Sequence, residues 1–305
     1  MRSNIFPEIL KCIKCDSHNI HYIKEGKVLV CENCESEYII SENIPVFLSK
    51  DESRVEAKSE IHQKFGTAFN YIDHYQKDAY NYDYFEERDK GTEHFERRVR
   101  EQIFNQIKGS QGIILDVGCG KAWVAELFCP HGFEVISMDI SFKNTSQALR
   151  KHPFKNHHAV VADAFSLPFR KNSIDYIIAS EIIEHVYDPE TFVKSLLNAI
   201  KPGGKLIVTT PYKEKIQYIL CIHCNKPTPN HAHLHSFDEH ILKTLYSGND
   251  IKKMKYKTFG NKILIKLRMH VLLKYVNFKI WDFIDRTVNL IYNLPVRILI
   301  VWEKK

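Results

Sequence analysis

From residue 112 onward, short apolar runs alternate with segments whose apolar residues recur at helical spacing. Gly112–Val117, with Ile113, Ile114 and Leu115 in a row, has the pattern of a buried strand, and Val124–Cys129 follows it as a helix. Phe133–Met138, Ala159–Ala162, Asp175–Ala179 and Lys205–Thr210 read as four further strands, the last entered through a turn at Ile200-Lys201-Pro202-Gly203-Gly204. Alternation of this kind predicts an α/β fold with a doubly wound sheet. Tyr256–Phe259 and Val296–Trp302 read as a sixth and a seventh strand, separated by Gly260–Leu294 where a short turn normally suffices. Upstream, Val99, Ile103 and Ile107 recur at intervals of four, which predicts a helix over Glu93–Ile107. His74-Tyr75 and Tyr80–Phe85 form an aromatic cluster before it, of the kind that packs as core or lines a site.

Composition and charge narrow the picture. The 305 residues are 44% hydrophobic and 26% charged, enough for a core and unlike a fibre or a disordered tail. No run of 18 uncharged apolar residues occurs, so no spanning helix is expected. Met1–Asp16 has neither the apolar stretch nor the cleavage site of a secretory signal, and a cytoplasmic location is the expectation. The formal charge of +6 is uneven: Lys252–Lys305 carries +10, which leaves −4 for the rest. A basic end suits an anionic partner or a solvated lysine face. If the 260–295 insertion forms a basic amphipathic helix, it could lie on an anionic membrane, peripherally at the inner face, or grip a lipid-linked acceptor; otherwise it covers the sheet or makes a dimer face.

Six of the eight cysteines fall in Cys-x-x-Cys pairs. Cys12, Cys15, Cys31 and Cys34 present four thiolates from two tight turns, with a β-like run at Lys27–Val30 between them, as in a closed tetrahedral structural zinc site. So small a segment has little core of its own, and the metal would supply much of its folding energy. Ile44-Pro45-Val46-Phe47-Leu48 closes it. A second set, Cys221, Cys224, His233 and His235, fits a Cys₂His₂ zinc, with His231 and His223 as spares; in the other reading these histidines line an acceptor entrance.

The first strand runs into Asp116-Val117-Gly118-Cys119-Gly120-Lys121-Ala122-Trp123. Gly118 and Gly120 let the backbone approach a ligand. A dinucleotide fingerprint needs glycine where Trp123 stands, and no Gly-Lys-Ser/Thr is present for a triphosphate loop. The loop suits S-adenosylmethionine better than either. Asp139 at the second strand end is placed for the ribose hydroxyls, Asp163 and Ala164 at the third for the adenine, and Ser180 and Glu181 at the fourth for the methionine side.

With Leu-Asp-Val-Gly-Cys-Gly, Asp139, Asp-Ala-x-x-Leu-Pro-Phe at 163–169, Ile-Asp-Tyr-Ile, Glu-x-x-Glu-His at 181–185 and Pro-Gly-Gly in place, the run from Leu115 to Tyr212 resembles the class I S-adenosylmethionine-dependent methyltransferases. The resemblance implies a seven-stranded Rossmann-like sheet whose last strand is antiparallel. Ala122 departs from the family's usual third glycine, a sterically minor change. Residues 1–50 resemble the small zinc-ribbon proteins that activate several methyltransferases, here joined to the same chain. The expected organisation is a zinc ribbon over 1–50, a helical cap and linker over 51–110, and a methyltransferase domain over 111–305 that contains a zinc-binding acceptor loop (213–240) and a basic helical insertion (260–295).

Methyl transfer needs a held nucleophile and a group to take its proton. A helical turn beginning at Glu181 would set Glu181, Glu184 and His185 on one face, with His185 as base or as a structural residue of the helix start. The carboxylates would orient it or recruit a divalent cation, since quinone O-methyltransferases carry a similar Glu-x-x-Glu-His. The expected acceptor is the oxygen or nitrogen of a small molecule, a saccharide or a lipid-linked precursor. Nucleic acid is disfavoured, because base-gripping enzymes place Asn/Asp-Pro-Pro-aromatic where this chain has Ser180-Glu181-Ile182-Ile183. An RNA methyltransferase with a zinc-ribbon recognition module, and a binding module without catalysis, stay open.

Overall fold

The structure is a computed structural model that describes residues 8–23, 26–48, 71–222 and 225–305. The methyltransferase-type sheet is built from β5 (Ile113–Val117), β6 (Glu134–Asp139), β7 (His157–Ala162), β8 (Ile174–Ser180), β9 (Ile200–Pro211), β12 (Ile251–Asn261) and β13 (Pro295–Lys304). Its order is β7-β6-β5-β8-β9-β13-β12. The first five run parallel, and β13 lies antiparallel between β9 and β12.

Strand periodicity explains the layers. Leu115 and Val117, Ile136 and Met138, and Ile177 and Ala179 point into one apolar cluster with Phe192, Val193, Leu196 and Leu197 of α5 (Pro189–Ala199). The alternate residues Ile114, Val135 and Ile178 point into the other, with Val99 and Ile103 of α2 (Lys90–Phe104) and Val124, Ala125 and Phe128 of α3 (Trp123–Phe128). The expected turn at Ile200–Gly204 is an irregularity at the start of β9: Ile174 faces Ile200, but Tyr176 already faces Lys205, and Gly203 takes φ 80°. Two more helices complete this frame, α1 (Tyr71–Asn81) from the 51–110 segment and α4 (Phe142–Lys151) after β6.

The ribbon is β1 (Ile20–Ile23), β2 (Val28–Cys31), β3 (Glu37–Ser41) and β4 (Ile44–Phe47). Its last strand does more than close it. β4 pairs in parallel with β7, Val46 to Val161 and Phe47 to Ala162, and extends the sheet to eleven strands. A bridge from Leu10 to Phe169 and the bonds Lys11 N–H to Pro168 O and Arg170 N–H to Ile9 O fix the ribbon's other end to the loop after β7. Leu10, Leu29, Tyr38 and Phe47 share the main apolar cluster with β5–β9, so the ribbon borrows its core from its neighbour.

β10 (Tyr218–Leu220) and β11 (Pro227–Pro229) form a separate hairpin, followed by α6 (Glu239–Thr244). The basic insertion folds as α7 (Lys262–Lys266), α8 (His270–Leu273) and α9 (Phe278–Ile291). Among the described residues no helix is long and apolar enough to cross a membrane.

Candidate active site

The carboxyl ends of β5–β8, the facing ends of β12 and β13, α1, α2 and the insertion surround a cavity of about 1380 Å³. Val117-Gly118-Cys119-Gly120 crosses its floor. The N–H groups of Gly118 and Cys119 both bond Met138 O, which ties the loop to β6. Gly118 takes φ 68°, and a Cβ there would sit 2.3 Å from Ile182 Cδ1; Gly120 takes φ 46° against the Tyr84 ring. Both conformations favour glycine, and at Gly118 a side chain would also have to displace Ile182. Ala122, the expected minor departure, is left-handed too at φ 52°. Its Cβ finds room, but its backbone is strained.

Asp139, at the end of β6, accepts from Ser141 N–H (2.9 Å) and Asn144 Nδ2 (3.2 Å). Burial raises its pKa, opposed by those donors. Asp116 lies beneath the loop at the tip of β5; burial, and then the charge of Asp139, push its carboxyl well up. Asp163 follows β7 and accepts from Phe165 N–H at 3.0 Å, while Ala164 lines the cavity. Ser180 ends β8, with its hydroxyl 3.0 Å from that of Thr209. Two buried carboxylate oxygens, Asp116 Oδ2 and Glu181 Oε1, have no partner. Buried acceptors in that state call for a donor, and the ammonium of a methionyl group supplies one. The glycine bend, the acidic strand tips and these oxygens fit S-adenosylmethionine.

The expected helical turn at Glu181 is corrected. Glu181 takes φ 57°, and only Ile183–His185 form a 3₁₀ turn, so Glu181 parts from Glu184 and His185, whose ligand atoms stay within 4.8 Å of each other. Glu181 turns to Arg297, whose Nε lies 2.6 Å from its Oε2. Glu184 turns inward and accepts from Thr210 Oγ1 at 2.9 Å. Burial first, and then Glu181, hold its carboxyl well above the usual range. His185 faces the cavity, with Tyr75 edge-on at 5.9 Å and His233 at 4.7 Å. Its Nδ1 lies 3.3 Å from Ala232 O; a carbonyl only accepts, so Nδ1 carries the proton and Nε2 keeps a lone pair. Burial, then the charge of His233, depress its pKa to about 3.

Of the second cysteine–histidine set, Cys224 and the spare His223 lie outside the described residues. Backbone bonds from Leu234 and His235 N–H to Glu184 O draw this segment against the 3₁₀ turn. His233 thereby joins Glu184 and His185, their ligand atoms all within 4.8 Å. Glu214 Oε2 accepts from His233 Nδ1 at 2.5 Å, which leaves Nε2 of that ring as a ligand.

The N-terminal cysteines do converge. All four sulfurs lie within 4.8 Å, with Cys12–Cys34 and Cys15–Cys31 each at 3.5 Å. A tetrahedron with zinc–sulfur bonds of about 2.3 Å has edges of about 3.8 Å, close to this spacing. Tyr38 OH and Ser36 Oγ lie 3.0 and 3.2 Å from Cys12 and Cys34.

Some site residues carried no sequence signal. Arg297 opens β13, and only its pairing opposite Pro211 brings it to the cavity. Glu214 and Trp281 arrive from the acceptor loop and the insertion in the same way.

This combination defines a class I S-adenosylmethionine-dependent methyltransferase fold with an N-terminal zinc-ribbon-like module. The chain belongs to the family described as methyltransferase domain, which matches residues 69–253, more than half of its length. It is similar to the ubiquinone biosynthesis O-methyltransferase of Bradyrhizobium diazoefficiens, 31% identical over 137 residues, covering 44% of this chain and 52% of that protein. It is also similar to the demethylmenaquinone methyltransferase of Renibacterium salmoninarum, 30% identical over 113 residues, covering 37% and 47%. The chain thus spans about half the length of these curated relatives, and about a third of the human mitochondrial ubiquinone biosynthesis O-methyltransferase (33% identical, 31% of that protein covered). Among solved structures, a chain of the complex containing the Haloferax volcanii Trm112 methyltransferase activator aligns with a TM-score of 0.50 at 14% identity, over 68% of this chain and 88% of that one.

Proposed function

We propose that the protein transfers the methyl group of S-adenosylmethionine to an oxygen of a small, largely apolar acceptor carrying a ring hydroxyl. The observation that carries this reading is the cavity itself, in which the glycine bend, Asp139 and Glu181 occupy one part and His185, Tyr71, Tyr75, Phe95 and Trp281 line another, with Asp116 and Asp163 behind the wall. When bound, the sulfonium supplies an activated methyl for in-line displacement. Asp139 would hold the ribose, Asp163 and Ala164 the adenine, and Asp116 and Glu181 the ammonium. Aromatic walls would grip a planar acceptor and exclude water. His185 Nε2 would take the hydroxyl proton as the oxygen–methyl bond forms. The names of the quinone-pathway relatives favour such an acceptor over a saccharide, and the nucleic-acid alternative finds no base-gripping loop.

A second arrangement excludes His185 as the base, because the same Nε2 would be a ligand: Glu184, His185 and His233 fit a divalent cation, with Glu184 Oε1 buried without a partner and both rings engaged at Nδ1. A cation there would lower the pKa of the acceptor hydroxyl in place of a histidine base. The ribbon would act as a built-in stabilising module, with zinc on Cys12, Cys15, Cys31 and Cys34.

The test is turnover of a panel of catechols and hydroquinones with labelled cofactor, with and without added magnesium or zinc. His185→Gln should cut turnover about 100-fold, at the low end of a proton-transfer contribution, and leave S-adenosylhomocysteine affinity unchanged. Full turnover in that variant would remove His185 from the chemistry.

A further inference from the structure

The insertion is built inside out. In α9, Asp282 and Asp285 are buried against the sheet. Asp282 accepts from Gln102 Nε2 at 2.9 Å and pairs with Lys257; Asp285 accepts from the N–H groups of Gly260 and Asn261 at 3.0 and 2.8 Å. The polar face thus satisfies the end of β12, and the apolar face is left outward. Ile280, Phe283, Leu290 and Ile291 follow helical spacing along it, with Phe283 71% and Leu290 88% exposed. α7 and α8 add Leu267 and Leu272, and Tyr275 follows, all exposed. Half of the large apolar residues exposed among the described residues fall in this one segment. Soluble surfaces rarely concentrate apolar residues so heavily without a partner.

Within the segment the exposed charges have one sign. Lys262, Lys266, Arg268, Lys279 and Arg286 are exposed, the last also reaching Asp282 at 2.9 Å, whereas the segment's two acids are the inward-facing pair just described. Asp89, from the neighbouring turn, is the exposed acid beside His270 at the edge of α8. Apolar side chains interleaved with cations, with no exposed carboxylate in the segment, complement an anionic lipid surface better than a protein face of mixed charge. The segment is also continuous with the cavity: Leu264, Ile265 and Arg268 line it, and Ile265 is 47% exposed at the outside.

We propose that residues 262–294 form a docking surface for an anionic bilayer, which the protein rests on without crossing, and that an apolar acceptor enters the cavity from the lipid beside Ile265. The second clause rests on the methyltransferase reading; the first does not. The full chain is to be co-sedimented with vesicles of phosphatidylcholine alone and with added phosphatidylglycerol, at low and at high salt. S-adenosylhomocysteine affinity is measured by calorimetry on the same samples. The expected result is binding to anionic vesicles at least tenfold stronger than to neutral ones, weakened by salt. Phe283→Glu with Leu290→Glu, and separately Lys279→Glu with Arg286→Glu, should each lower it at least tenfold with unchanged S-adenosylhomocysteine affinity. A chain that binds S-adenosylhomocysteine but stays in the supernatant with anionic vesicles overturns the surface and leaves the enzyme reading standing. So does a dimer that Phe283→Glu with Leu290→Glu dissolves. Vesicle binding without cofactor binding upholds the surface and brings down the enzyme reading.

Discussion

Ala122 sits at the entry to α3 in a left-handed conformation, which costs an L residue about 1–2 kcal/mol. Ala122→Gly removes that strain while loosening the unfolded chain, so a net gain of about 0.5–1 kcal/mol is expected in urea unfolding. A loss would show the turn to be unstrained. Comparing residues by size had made this substitution look harmless; the dihedral is what the sequence conceals. His157 behaves likewise. Its Nδ1 donates to His152 O at 2.7 Å and its Nε2 meets Ser137 Oγ at 2.9 Å, and burial depresses its pKa to about 4. Because the folded value lies below the unfolded one, the neutral ring's contribution is complete above about pH 6.5 and is lost as pH falls from there towards 4. The loss is roughly 3 kcal/mol by the linkage relation. His157→Gln should flatten the decline in stability between pH 7 and 4.5; an unchanged slope would assign that decline to other groups.

The parallel strands and the glycine loop were legible because a strand buried on both faces is a continuous apolar run and because a bend against a ligand needs glycine. The ribbon's attachment was not. Ile44–Phe47 reads equally as the end of a small module and as an edge strand, and nothing local names Val161 and Ala162 as its partners. The attachment matters because Arg170 spans the joint, its Nε donating to Leu10 O at 3.0 Å, and because the loop from Asp163 to Phe169 lies beneath it. Zinc removal by a chelator, or Cys12→Ser, should therefore lower the melting temperature and weaken S-adenosylhomocysteine binding about tenfold, the worth of roughly 1.4 kcal/mol of lost preorganisation. If the cofactor affinity holds while the ribbon melts, the two parts are independent. The histidine cluster was half legible. Cys-x-x-Cys followed by His-x-His spells a metal site by spacing, whereas the approach of His233 to Glu184 and His185 depends on the bonds from Leu234 and His235 to Glu184 O, which no local pattern encodes.

Across the molecule, acidic groups are stored beside a cavity that they do not neutralise. Asp116 is buried and Asp139 half-buried at the cavity wall, and both have raised pKa values. Carboxyls raised in this way favour the protonated form when folded, so the ligand-free protein should lose stability as pH rises above about 4. Asp139→Asn should relieve part of that loss and make the free protein more stable at neutral pH, at the expense of cofactor affinity. Calorimetric titration of the folded chain with S-adenosylhomocysteine tests the adenosyl pocket most directly. One molecule should bind per chain, and Asp139→Asn should weaken it about 10- to 100-fold, the worth of one or two hydrogen bonds to a charged acceptor. A natively folded chain that shows no binding heat, or an Asp139→Asn variant that binds as tightly as the original, would contradict it.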